Sequence, residues 1–175
     1  MAVLVALALT GCPAPPEMIV HLRTNFLPGV ELGRVEVLVL RRSTEGDAPV
    51  ELIEATDVSG PASEGTIRLG VAALPGPGTY VVRGTLFTPE GAPLTTAATL
   101  VAITQSRSVV LLAGRECQGI ACPARGEPAT AIACVAGRCV DPRCSPGADR
   151  GDAICPSPAC ASGSDCPGGA PGCTA

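Results

Sequence analysis

The chain has no tryptophan and no lysine, a single tyrosine, two phenylalanines and one histidine. So few rings leave little on which a sugar or a base could stack, which argues against carbohydrate and single-strand nucleic-acid binding. All twelve basic residues are arginine, no basic cluster exceeds the pair Arg41 and Arg42, and the net charge is −4. A nucleic-acid partner is therefore not expected. No cysteine pair has the Cys-x2-Cys spacing, and His21 is the lone histidine. Zinc knuckles thus lack both paired thiolates and imidazole partners, and a dithiol redox site lacks its motif. No metal and no cofactor are expected.

What is present begins with an apolar run from Met1 to Leu9, followed by the small residues Thr10 and Gly11 and then Cys12. This fits the hydrophobic stretch and cleavage region of an export signal, and it is shorter than the about 20 residues of a membrane span. Leu9, Thr10, Gly11 and Cys12 resemble the bacterial lipobox. The resemblance implies cleavage before Cys12, which becomes the mature N-terminus and carries the lipid. The alternative for residues 1–11 is an apolar strand. A signal normally opens with lysine or arginine, so a start upstream of Met1 is expected. Pro13, Pro15 and Pro16 stop any helix and suit an extended tether. Residues 1–11 are read as the signal and 12–17 as the tether of a protein exported to the bacterial envelope and held on a membrane, the outer one expected. Acyl chains contribute about 0.8 kcal/mol per buried methylene, so two or three make a lasting anchor.

From Met18 to Ala113 short runs rich in Val, Leu, Ile and Thr alternate with Gly, Pro, Ser and Asp clusters. Val20, Leu22, Thr24 and Phe26 fall on one face of an extended chain and His21, Arg23 and Asn25 on the other, the period-two mark of a half-buried strand. Leu27 to Val30 then turns the chain. Val35, Val37 and Val39 likewise oppose Arg34 and Glu36 between Gly33 and Arg42, and β-branching there favours strand over helix. Further strands are expected at 50–55, 65–72, 79–88, 95–104 and 108–113. The strand at 79–88 leaves a Pro/Gly turn with Tyr80, Val82 and Leu86 on one face. It resembles the penultimate strands of extracellular sandwich modules, where a tyrosine near the strand start packs against the turn. The expected fold is mainly β: an immunoglobulin-like or transthyretin-like β-sandwich over 18–115, followed by a small, irregular, disulfide-rich tail over 116–175.

That tail holds Cys117, Cys122, Cys134, Cys139, Cys144, Cys155, Cys160, Cys166 and Cys173, while apolar runs disappear. Too little apolar surface remains to offset chain entropy, so crosslinks must supply the order, at about 2–4 kcal/mol per bridge. An exported protein makes disulfides the natural reading of all nine, with the connectivity left open. Because nine is odd, one thiol is free, pairs between chains, or has its partner beyond Ala175. The last is expected.

The stretches from Cys117 to Pro123 and from Ala133 to Ser145 resemble a cysteine-rich region of myxobacterial surface lipoproteins, where it follows a lipobox and a β-rich domain and often leads into larger domains. The resemblance implies no activity for this segment. The expected function is a non-enzymatic, lipid-anchored envelope protein, a structural or interaction module with a stapled spacer and an unspecified envelope or extracellular partner. Two alternatives are the anchoring front of a longer protein whose binding or catalytic domain follows Ala175, and a cysteine-rich metal binder. His21 has no nucleophile to serve and reads as a residue on a solvated strand face. Arg150, Gly151 and Asp152 form a common tripeptide that animal adhesion ligands also use. Asp141, Asp149, Asp152 and Asp165 lack the alternating spacing of a calcium loop and read as solvated charges.

Overall fold

The structure, a computed structural model, describes residues 14–55, 58, 66–149 and 155. Seven strands form the sandwich: β1 Glu17–Thr24, β2 Arg34–Ser43, β3 Gly46–Ala55, β4 Ile67–Ala73, β5 Gly78–Phe87, β6 Pro93–Ile103 and β7 Arg107–Ala113. They form a three-stranded sheet in the order β4-β1-β7 and a four-stranded sheet in the order β3-β2-β5-β6. Every neighbouring pair is antiparallel except β1 and β7, which run parallel. An immunoglobulin constant domain joins its first, second, fifth and fourth strands in one sheet. Here the first strand sits between the fourth and seventh, so the strand order is not the immunoglobulin one. Among the described residues no helix is long and apolar enough to cross a membrane.

The sheets pack face to face through the alternation read from the sequence. Met18, Val20 and Leu22 of β1 and Val109, Leu111 and Ala113 of β7 are buried against Val35, Val37 and Val39 of β2 and Tyr80, Val82 and Leu86 of β5. Gly84 occupies an inward position of β5, where a Cβ would lie 2.8 Å from Leu111 Cδ1 of the opposite sheet. The missing side chain is what lets Leu111 seat there.

Tyr80 is wholly buried, and its hydroxyl donates to Gly76 O at 2.6 Å, which ties the strand to the turn before it. The tyrosine does pack against the turn, but β5 is third from the end of the sandwich strands rather than penultimate. β3 begins at Gly46 rather than Val50. Its first residues pair with Leu40 to Ser43 across a bulge between Val39 and Leu40, and Pro49 is tolerated because β3 is an edge strand.

Candidate functional site

β6 departs from simple alternation. Leu94, Thr95, Ala97, Ala98, Thr99, Leu100, Val101 and Ile103 are all buried, so both faces of this edge strand are covered. The inner face meets the sandwich core, and the outer face is covered by the cysteine-rich segment. Ala98 packs with Ala133 and Val140, while Leu38, Leu40, Val81 and Leu100 form an apolar patch against which Ile132 lies.

The same segment closes the strand's free edge. Gly119 N donates to Leu94 O at 3.0 Å, and Asp149 N donates to Leu100 O at 3.0 Å. Between them, Ser145 Oγ donates to Ala98 O at 2.6 Å. Ala102 N donates to Asp149 Oδ2 at 2.6 Å, and Thr95 Oγ1 to Cys117 O at 2.9 Å. An exposed sheet edge is a template for pairing with other chains, and here this segment runs alongside β6 from its first residues to its last.

Among the described residues three disulfides hold the segment in shape: Cys117–Cys134, Cys122–Cys139 and Cys144–Cys155. A hairpin not expected from the sequence, β8 Ala133–Val135 and β9 Arg138–Val140, places Cys134 opposite Cys139. Its two-residue turn has Ala136 at φ 48° and Gly137 at φ 77°, the left-handed pair of a type I′ turn. The facing cysteines do not join each other. Each instead reaches back 17 residues to the loop that follows β7, so two parallel bridges fasten the hairpin to that loop.

The entry to the segment is tied to the sandwich at Arg115. Its backbone N–H donates to Asn25 Oδ1 at 2.8 Å and its Nε to Asn25 O at 3.1 Å. Its guanidinium pairs with Glu31 and lies 5.4 Å from the centroid of the Phe26 ring. The Arg115 hydrogen bond, followed by the Leu27 N–H, holds the Glu31 carboxyl below its ordinary range. Further along, Asp141 caps the short 3-10 turn Pro142–Cys144 by accepting from Arg143 N at 2.9 Å, and its carboxylate also accepts from the Arg143 guanidinium. The Arg143 guanidinium is the main cause that depresses the Asp141 pKa.

No protein-family model, curated protein or solved structure matches this chain.

The residues singled out in the sequence fall as follows. Six cysteines are bridged, and a sulfur in a disulfide offers no thiolate to a metal. Cys12, Cys160, Cys166, Cys173, Asp152, Asp165 and the tripeptide starting at Arg150 lie outside the described residues. His21 is half-buried and its register partners are Arg68 and Val110 in the smaller sheet. Asp141 caps a 3-10 turn and Asp149 accepts from the β6 edge, and among the described residues no group of three or more His, Cys, Asp or Glu could hold a metal. Sequence reasoning missed Ser145, Gly119 and Arg115. No local motif marks them, since each acts on a partner distant in the chain.

Proposed function

We propose that the chain is a non-enzymatic, lipid-anchored envelope protein. Its transthyretin-like sandwich serves as an interaction module, and its cysteine-rich segment clasps the sandwich edge. The observation that carries this reading is the trio of disulfides on the clasp, because such bridges persist in oxidising, exported compartments and are rare in the cytosol. The export-like run before Cys12 agrees with that compartment. Several charged groups of the clasp are engaged in holding it together: Asp141 binds Arg143, Asp149 binds β6, and Arg115 binds Glu31. That use favours a structural role over a catalytic one.

The test is fractionation of cells making the wild type and Cys12→Ala, with labelled fatty acid supplied. The wild type should be labelled and sediment with membranes, and the variant should be unlabelled and soluble in the exported fraction. Equal membrane retention of both would reject the anchor.

A further inference from the structure

The two sheets are unequal: β4-β1-β7 lies over β3-β2-β5-β6, and residues 145–149 run along the free edge of β6. Among the described residues the smaller sheet has no strand above that run. Two hollows of about 300 Å³ and about 330 Å³ lie there, both lined by Arg23, Leu112 and Pro146. The second reaches Val101 and Val109, inward-facing residues of β6 and β7, so it opens onto the sandwich interior.

The other edges are protected. β6 is clasped, β3 carries Pro49 with Asp47, Glu51 and Glu54, and β4 meets β1 through a bulge and carries Arg68. β7 differs from all of them. From Ser108 to Ala113 it has no charge and no proline, and its register with β1 is unbroken. Val110 and Leu112 are 38% and 37% exposed. Among the described residues nothing bonds to its backbone from the free side.

We propose that this edge takes one extended segment of a partner polypeptide as a fourth strand of the smaller sheet, aliphatic at alternate positions and with a carboxylate opposite Arg23. The charges choose the occupant. Arg23 is exposed beside Leu112 and has no ion pair or hydrogen-bond partner among the described residues, whereas Arg107 at the other end of β7 pairs with Asp149 at 3.6 Å. Glu116 lines the hollow beyond the end of β7, so the carboxylate belongs at Arg23 and not further along. A second copy pairing antiparallel about Val110 would set its Ser108, not a carboxylate, opposite Leu112 and so across β7 from Arg23. Residues 156–175 contain four prolines and no Val, Leu or Ile, and residues 1–9 contain no acid, so neither of these two segments has the required chemistry.

The proposal rests on the interaction-module reading and not on the anchor, which the Cys12→Ala fractionation reads separately. The experiment uses the oxidised full chain and a blocked synthetic peptide as long as the seven residues of β7, with valine and threonine alternating and glutamate at the position that faces Leu112, the neighbour of Arg23. The same peptide with lysine in place of glutamate is the control. The glutamate peptide should bind one to one and slow amide exchange at 107–113. Arg23→Glu should weaken it by about tenfold, the equivalent of about 1.4 kcal/mol, and strengthen the lysine peptide. Val110→Lys, on an exposed side chain, should weaken both, with circular dichroism verifying that each variant is folded. Absence of binding, protection at β3 or β4 instead, or indifference to Arg23→Glu would overturn the proposal. So would protection of β7 that grows with protein concentration without peptide, which would make the occupant a second copy.

Discussion

Ser145 and Ala98 lie 47 residues apart, and the serine hydroxyl donates to the alanine carbonyl at 2.6 Å inside the seam between the cysteine-rich segment and β6. Both residues are buried, so water cannot replace the bond if it is lost. Ser145→Ala should therefore cost about 1–3 kcal/mol, the range for leaving a buried acceptor unsatisfied. Urea unfolding of the oxidised protein measures this, and an unchanged midpoint would mean that the seam is open to solvent.

Thr99 gives the opposite case. Its Oγ1 is buried at an inward-facing position of β6 with no hydrogen-bond partner among the described residues. Thr99→Val keeps the shape and removes the orphaned hydroxyl, so stability should rise by about 1 kcal/mol. A fall in the urea midpoint would show that the hydroxyl has a partner after all.

The strands were legible because each buries one face, and a period-two pattern such as Val35, Val37 and Val39 survives any detail of the turns. The start of β3 was hidden, since Gly46, Asp47 and Pro49 carry turn chemistry and become strand only by pairing with Leu40 to Ser43. The double burial of β6 had a trace in the run from Ala97 to Val101, which only Thr99 interrupts, but what covers its outer face lies more than 30 residues further on. The hairpin left one signal, the equal Cys-x4-Cys spacing at 117–122 and 134–139, with Gly137 in the second gap. Which cysteine joins which was not legible, because pairing is decided by the approach of two segments and not by either alone.

Sheet-to-sheet packing is tested at Gly84. A larger side chain there drives into Leu111, so Gly84→Val should destabilise by about 1–3 kcal/mol. Combining it with Leu111→Ala should recover part of the loss. Strict additivity would mean that the two residues do not meet.

Acid should loosen the clasp. The Arg143 guanidinium depresses the Asp141 pKa in the folded protein, so the pair's contribution is complete above the unfolded value, about 3.9. It is lost as pH falls through the lower folded value. Glu31, held low by Arg115, acts in the same direction at the entry to the clasp. Asp141→Asn keeps an acceptor but removes the charge, so the variant should show a smaller drop in urea midpoint than wild type between about pH 5 and about pH 2. Equal drops would remove Asp141 from the account.

The central claim is that the cysteine-rich segment is a clasp on the β6 edge rather than a tail standing clear of the sandwich. The amide of Ala102 reports on it directly, because its partner is the Asp149 carboxylate and not another strand. Hydrogen exchange should be followed in the oxidised protein and after full reduction and alkylation. Reduction should free residues 116–149 and, with them, speed exchange at Ala102 while Val81 and Val101 within the sheet stay protected. If Ala102 keeps its protection after reduction while residues 116–149 exchange freely, the edge does not depend on the segment and the clasp is contradicted.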